Sequence, residues 1–282
     1  MSDKKPKTAI PPDACDSHLH VYDRSYPSRV PVDDYTGEDY RRLWSKLGFS
    51  RAVVVQPRAY WTDNSLVVDT VKLLGKNNAR GIAVIHPDIP EQELQALHAG
   101  GVRGVRFSMF KLEHLVVGFD MVEPIAARIR ALGWHVQLHW KADQIVEHRK
   151  MLERLSVPLV FDHMGRIPPA KGLAHPAFEI MRDLAANNRA WVKLTAGYLD
   201  SATGLATGYR DIAPIVRAWV AAVPHRLVWG SDWPHLSELH DYPRVADLFD
   251  LFAEWVPDTM IRNTILVDNP ATLYGFEPLA AR

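Results

Sequence analysis

Two histidines separated by one residue, His18 and His20, are the first side chains in the sequence whose type and spacing suggest chemistry. They lie at the end of a short segment, residues 14–20, that begins as an apolar run. On an extended strand, residues i and i+2 project to the same face. Imidazole is the commonest protein ligand for divalent metal ions, so the two rings would form half of a tetrahedral or five-coordinate metal site.

Other polar residues follow the apolar runs further along the chain. They are Gln56, His86, Asp88, Arg106, Ser108, His139, Asp162, His163, Arg166, Lys193, Thr195, Ser231, Asp232 and His235. The number of histidines and acids at the ends of the predicted strands is higher than chance placement would give. We interpret the set as a functional site.

The apolar runs alternate with segments of helical periodicity. Strands are predicted at 14–20, 52–56, 81–85, 102–107, 135–139, 157–161, 191–194 and 227–230, and helices at 38–47, 64–74, 91–99, 121–132, 142–155, 178–186, 212–222, 245–255 and 258–267. This order predicts parallel strands joined by right-handed crossovers, and eight such units predict an α/β protein with a single (β/α)8 TIM barrel. The alternative, an open doubly wound sheet, would carry a glycine-rich phosphate loop where this chain has histidines.

Two local features refine this outline. Residues 1–12 are predicted to form a flexible N-terminal lead, and residues 13–282 to form the barrel. Asn64 is predicted to cap the helix that follows it. The strand ends of a barrel meet at one mouth, so the polar residues that follow the strands are expected to converge there.

Composition and charge exclude several classes of partner. The chain has 33 Lys and Arg against 33 Asp and Glu, so no overall field favours nucleic acid or an anionic membrane. Cys15 is the only cysteine, which excludes an internal disulfide and fits a reducing compartment. Residues 1–9 are polar, and no stretch approaches the roughly 20 apolar residues of a membrane helix. We expect a cytoplasmic protein.

The segments around Asp232 and His163 carry the most specific chemistry. Asp232 follows a buried strand, where its carboxylate could ligate a metal, take a proton from water or do both; a helix N-cap is the structural alternative. Facing several imidazoles, this carboxylate is expected to stay ionised. Arg166 follows His163 closely and offers a fork for a carboxylate, or else forms a salt bridge at the rim.

Taken together, these motifs resemble the amidohydrolase superfamily. They are His18-Leu19-His20, Thr62-Asp63-Asn64, Gly104-Val105-Arg106-Phe107, His139, Asp162-His163-Met164-Gly165-Arg166, Trp229-Gly230-Ser231-Asp232-Trp233-Pro234-His235 and Asn269-Pro270-Ala271-Thr272-Leu273-Tyr274. The resemblance covers nearly the whole chain from Ala14. Within the superfamily, the motifs more specifically resemble the branch that contains pyrone dicarboxylate lactonases, sulfomuconolactone hydrolases and sugar-acid lactonases.

This resemblance implies one divalent metal ion, with zinc favoured. The implied ligands are His18, His20, His139 and Asp232. The pyrone dicarboxylate lactonase is taken to work without metal and has tyrosine at the position of His139, so a metal-free mechanism stays open. Histidine at that position completes a metal-site pattern here.

The resemblance also implies how a substrate is held. Arg106 and Arg166 match two arginines that grip the substrate of the pyrone lactonase, while a third falls on Leu112, beside Lys111. The substrate is therefore expected to differ, with fewer or differently placed carboxylates. Lys111, Gln56, Tyr60 and His235 are further candidates for substrate contacts. Tyr60, with its aromatic neighbours, could instead line the interface of a homo-oligomer.

We therefore expect a hydrolase that opens the lactone of a small carboxylated acid. Asp232 is assigned as the base, and His163 as the residue that stabilises the developing oxyanion. The alternatives are metal-dependent decarboxylation of an aromatic or enoic acid, lactone isomerisation, and a non-catalytic barrel subunit.

Overall fold

Eight parallel strands follow one another around a single sheet in chain order. A computed structural model describes residues 4–112, 115–236 and 243–277. The strands are β1 (Cys15–Leu19), β2 (Arg51–Val55), β3 (Ala79–Ala83), β4 (Val102–Ser108), β5 (His135–His139), β6 (Leu159–Phe161), β7 (Ala190–Leu194) and β8 (Leu227–Trp229). Nearly every strand residue is buried, as expected for parallel strands covered by helices.

The sheet closes where the end of β8 meets β1. Leu19 and Trp233 form a parallel bridge. The Asp232 amide donates to the His18 carbonyl at 2.8 Å, and the His20 amide donates to the Trp233 carbonyl at 2.8 Å. The (β/α)8 barrel is confirmed, and its closure places the His18–His20 segment beside Asp232.

Helices follow the strands on the outside of the barrel. They are α1 (Gly37–Leu47), α2 (Ser65–Leu74), α3 (Glu91–Ala99), α4 (Val122–Ile129), α5 (Ala142–Glu147), α6 (Arg149–Arg154), α7 (Pro176–Ala186), α8 (Ala213–Ala222), α9 (Val245–Trp255), α10 (Thr259–Asn263) and α11 (Asn269–Tyr274). In the described part of the chain, no helix is both long and apolar enough to cross a lipid bilayer.

The predicted helix at 142–155 is interrupted. His148 has non-helical dihedral angles (φ −96°, ψ 16°) and separates α5 from α6. Its ring stacks on Phe119, with the ring centroids 4.2 Å apart. This packing, which joins segments 29 residues apart in the chain, cannot be inferred from local periodicity.

Asn64 occupies the N-cap position of α2, as predicted, but its side chain makes no capping hydrogen bond. Its side-chain amide donates to the carbonyls of Thr62 and Val84, and its carbonyl oxygen accepts from the Val84 amide. The Ser65 amide is instead bound by Asp63. Asn64 therefore ties the loop after β2 to the end of β3, which fixes that part of the barrel mouth.

Within the N-terminal lead, two backbone amides contact the barrel. Those of Lys7 and Thr8 donate to the Asp250 carboxylate on α9 at 3.0 and 2.9 Å.

Candidate active site

The closure of the barrel brings His18, His20 and Asp232 together. Gly230, at the end of β8, makes this approach possible, since a Cβ on that residue would lie 2.6 Å from the His18 amide nitrogen. The Nε2 atoms of His18 and His20 are 3.2 Å apart. Asp232 Oδ1 lies 3.4 Å from His18 Nε2 and 3.7 Å from His20 Nε2. The two histidines thus present nitrogen atoms to one carboxylate, as the strand geometry predicts.

These separations suit a metal ion. An ion bound to nitrogen and oxygen at about 2.0–2.2 Å needs ligand atoms roughly 3–3.7 Å apart. His20 Nδ1 lies 2.8 Å from the Val55 carbonyl oxygen, so that nitrogen must donate, and Nε2 keeps its lone pair for a ligand. Ligand atoms of His18, His163 and Asp232 also lie within 4.8 Å of one another. Donor type and spacing therefore fit one divalent ion.

His163 is held by an unusual turn after β6. His163, Met164, Gly165 and Arg166 all have left-handed backbone, with φ between 49° and 70°. Such strain in non-glycine residues is concentrated at functional sites. A Cβ on Gly165 would lie 2.4 Å from the Met181 side chain, which explains the glycine. The His163 ring is then oriented by Thr195, whose Oγ1 lies 2.7 Å from Nδ1.

His139 lies next to His163, with their ring centroids 5.1 Å apart. Its Nδ1 is 3.0 Å from Ser108 Oγ, and its Nε2 is 3.3 Å from Arg166 Nη1. The ring stacks on Phe110 at a centroid distance of 5.2 Å. In this conformation His139 faces the guanidinium, and His163 rather than His139 belongs to the compact group of ligand atoms.

The site histidines are neutral at ordinary pH. Burial, together with the nearby Lys193 charge, lowers the pKa of His18 to about 3. Burial also holds the pKa values of His20, His139 and His163 well below the usual histidine range. Neutral imidazoles can ligate a metal or donate one hydrogen bond, but they supply no fixed positive charge.

The neutral histidines affect the protonation of Asp232. Burial raises its pKa to about 7, although a hydrogen bond from Tyr198 opposes the shift. The sequence leads us to expect an ionised carboxylate here, but the neutral imidazoles supply no charge that favours this form, and burial shifts Asp232 toward the protonated form. Tyr198 donates to Asp232 Oδ2 at 2.5 Å, which leaves Oδ1 facing the two histidines.

Asp162 organises a buried polar layer beneath the site. Its Oδ2 accepts from Arg106 Nε at 2.9 Å and from Gln137 Nε2 at 3.1 Å. Its Oδ1 is 3.3 Å from His18 Nδ1 and 3.7 Å from Lys193 Nζ. Burial acts to raise the pKa of Asp162, but these neighbours outweigh it and hold the pKa well below the usual value. A carboxylate behind a ligand histidine is a common means of orienting it.

Lys193 completes this layer from β7. Its ammonium donates to the Ser17 carbonyl and to Gln137 Oε1, both at 2.9 Å, and lies 3.2 Å from His18 Nδ1. Burial lowers the pKa of Lys193 to about 8. The layer fixes His18 from below, and Lys193 has no access to solvent.

The two predicted substrate arginines are in different situations. Arg106 is held by Asp162 through Nε, and in the described part of the chain its terminal nitrogens have no hydrogen-bond partner. Arg166 forms a two-point ion pair with Asp200, at 2.7 and 2.8 Å. The rim salt bridge, the structural alternative for Arg166, is therefore present.

Three of the four other residues predicted to contact the substrate form hydrogen bonds within the protein. Gln56 Nε2 donates to the carbonyls of Trp61 and Asp63, and the Tyr60 hydroxyl is hydrogen-bonded to the backbone of Asp23. Both side chains therefore hold loops in place. His235 is buried, with Nε2 3.0 Å from the Ser231 carbonyl oxygen. Lys111 is exposed. Substrate contact stays a prediction for all four.

Sequence reasoning missed Tyr198, Asp200 and Phe110. Tyr198 and Asp200 lie just beyond β7, and Phe110 lies two residues beyond β4. Position beyond a strand end was the available signal, but it does not distinguish them from other loop residues. Gln137 could have been found, because it lies two residues before His139 on the same strand.

Comparison with known proteins agrees with this geometry. A family model described as amidohydrolase matches residues 15–276. The 4-sulfomuconolactone hydrolase of Rhizobium radiobacter is 36% identical over 280 residues, which cover 95% of this chain and 91% of that protein. The 2-pyrone-4,6-dicarboxylate hydrolase of Comamonas testosteroni is 34% identical over 284 residues, with 96% and 92% covered.

A solved structure from Agrobacterium tumefaciens, in its apo form, superposes with a TM-score of 0.87 at 30% identity. The match covers 97% of this chain and 100% of the solved one. Because the family model and these relatives match nearly the whole described barrel, the chain belongs to the amidohydrolase family.

Proposed function

We propose that this protein hydrolyses the lactone of a small carboxylated acid. The observation that carries the proposal is the placement of Asp232, whose Oδ2 is fixed by Tyr198 while Oδ1 faces His18 and His20. A carboxylate held in this way can orient and deprotonate a water molecule. The similar 4-sulfomuconolactone and pyrone dicarboxylate hydrolases are named as lactone hydrolases, which supports this reaction class.

In the proposed mechanism, Asp232 accepts a proton from water as the water attacks the ring carbonyl. His163 stabilises the developing oxyanion through Nε2, since its Nδ1 is occupied by Thr195. Asp232 then returns the proton to the alkoxide that leaves when the ring opens. Arg106 holds the carboxylate of the substrate through its terminal nitrogens.

His18, His20 and Asp232 would hold a divalent ion, with zinc favoured, and His139 stays the proposed fourth ligand. The chemistry that such an ion supplies is Lewis-acid polarisation of the carbonyl. His139 would have to turn from Arg166 to join this set, whereas His163 already lies close to it. The imidazoles of His18, His20, His139 and His163 are all neutral, so either His139 or His163 is chemically suited to be the fourth ligand.

Protein produced in zinc-supplemented medium should contain about one zinc per chain by elemental analysis, since these ligands form a single site. His20→Ala removes one of two adjacent nitrogen donors and should lose most of this zinc. His225→Ala, at an exposed position just before β8 begins, is the matched control and should retain the zinc. Zinc-free wild-type protein, or full zinc content in the His20 variant, would contradict this metal site.

Arg106→Lys should raise KM about tenfold or more with a smaller change in kcat, because lysine keeps the charge but loses the planar fork. Steady-state kinetics on a carboxylated lactone measures this effect. Arg103→Lys is the matched control on the same strand, since Arg103 donates to the carbonyls of His98 and Val102 and to no other described residue. An unchanged KM in the Arg106 variant would show that this arginine does not bind the substrate.

Incubation of the purified protein with carboxylated five- and six-membered lactones, followed by product identification, tests the function itself. A ring-opened acid supports hydrolysis. Release of carbon dioxide indicates decarboxylation instead, and a rearranged lactone indicates isomerisation. Protein that neither binds metal nor converts any of these compounds would favour the non-catalytic alternative.

A further inference from the structure

Arg166 and Asp200 form a closed pair at the barrel mouth. Arg166 Nε lies 2.7 Å from Asp200 Oδ2, and Nη2 lies 2.8 Å from Oδ1. The side chains are only 8% and 18% exposed, so the pair is largely protected from solvent. This is the fork geometry that an arginine uses to bind a carboxylate, and here the protein supplies the carboxylate itself.

The remaining part of the Arg166 guanidinium is also restrained. Its central carbon lies 3.9 Å from the centre of the Phe110 ring, which stacks against one face. Its third nitrogen, Nη1, points to His139 Nε2 at 3.3 Å. Arg166 is thus fixed in position: three of its five N–H groups are directed at Asp200 and His139, and one on each terminal nitrogen remains for a ligand.

Arg106, unlike Arg166, has terminal nitrogens that are not restrained by neighbouring side chains of the described residues. Asp162 holds it through Nε alone, and no described residue accepts a hydrogen bond from its two terminal nitrogens. Arg106 can therefore offer a complete fork to a ligand carboxylate. Of the two arginines, only Arg106 has both terminal nitrogens without a hydrogen-bond partner among the described residues.

A second ligand carboxylate beside Arg166 would encounter Asp200. It would either lie next to a like charge, which is strongly unfavourable, or displace Asp200 and leave that carboxylate without its partner in a poorly solvated position. A ligand hydroxyl meets no such obstacle, because it can donate to an Asp200 oxygen and accept from Arg166 Nη1.

We propose that Asp200 determines substrate specificity by occupying Arg166, so that the site selects a lactone with one carboxylate and a hydroxyl group facing the Arg166–Asp200 pair. This inference rests on the proposed lactonase function and narrows its substrate class. Arg106 binds the single carboxylate, and the ion pair acts against a second one, as repulsive elements do in other selective sites.

Three matched lactones test this selectivity. They are γ-carboxy-γ-butyrolactone, isocitric lactone, which carries a second carboxylate on the same ring, and the analogue with a hydroxyl in place of that second carboxylate. The wild-type kcat/KM should be at least about tenfold higher for the hydroxyl analogue than for isocitric lactone, with the unsubstituted compound between them.

Asp200→Asn removes the charge but keeps the size of the side chain. It should reduce this preference by about tenfold, mainly through a lower KM for isocitric lactone. Asp211→Asn is the matched control in the same loop, since the Asp211 carboxylate accepts hydrogen bonds from Ser201, Ala202 and Thr203. It should leave the preference unchanged. A preference within twofold of wild type in a folded Asp200 variant would overturn the proposal.

Inhibition of the wild-type protein provides a test that needs no variant. The ring-opened acids of the three lactones should compete for the site, and the acid derived from isocitric lactone should have the weakest Ki. The tightest Ki for that acid would overturn the specificity proposal, even if the protein opens lactones. If none of the lactones is opened, the proposed function fails, while the order of Ki values still tests the role of Asp200.

Discussion

Replacement of Asp232 by Asn is expected to lower kcat by at least about 100-fold while the barrel stays folded. Asn keeps the size of the side chain and one acceptor oxygen, but it cannot take a proton at neutral pH. Loss of a general base typically costs about 10²–10⁴-fold in rate, and more when the same group orients the water or a metal ion. Turnover and thermal unfolding measured on one preparation test this expectation.

A control variant and the structural alternative for Asp232 predict outcomes that differ from this loss of kcat. Asp250→Asn removes the carboxylate that binds the backbone of Lys7 and Thr8 on the outer surface, and it should leave kcat unchanged. If Asp232 served only as a helix cap, its variant would lose about 1 kcal/mol of stability and keep nearly normal turnover. A folded and fully active Asp232→Asn protein would refute the proposed chemistry.

Replacement of His163 by Gln is expected to lower kcat by about 10²–10³-fold, with a smaller effect on KM. Removal of one donor to a developing oxyanion costs about this much in other hydrolases, because the donor matters more in the transition state than in the ground state. Steady-state kinetics checks the split between the two parameters.

His175→Gln is a suitable comparison for this variant. His175 is also buried, but it caps α7 by accepting from the Ala177 amide, so its loss should lower the melting temperature and spare kcat. Thr195→Val removes the partner that orients His163 and should lower kcat less than the His163 change does. A normal kcat in His163→Gln would remove this residue from the mechanism.

The fold could be predicted from the sequence because each βα unit repeats the same local signal. Apolar runs of five or so residues alternate with amphipathic segments, and β5 and α9 begin and end at the predicted residues. Failures arose where distant contacts decide the local structure. His148 interrupts a helix because it stacks on Phe119, and the Asn64 side chain binds Val84, just beyond β3, instead of the first turn of α2.

The site was less predictable, since position at a strand end does not show what a side chain contacts. His18, His20 and Asp232 were predicted to converge, and the barrel closure places them together. Whether a charged side chain is already paired depends on its neighbours, and the tertiary structure determines these. Arg166 is an example, since its partner Asp200 lies 34 residues away in a loop without a recognisable motif.

The central claim is that water opens a lactone ring at this site, and hydrolysis in water enriched in ¹⁸O tests it most directly. Attack on the ring carbonyl predicts one ¹⁸O in the newly formed carboxylate of the product and none in its hydroxyl group, as determined by mass spectrometry of the product and its fragments. The Asp232→Asn protein should form this product at least about 100-fold more slowly. Product without the label, or labelled in the hydroxyl group instead, would contradict the proposed reaction.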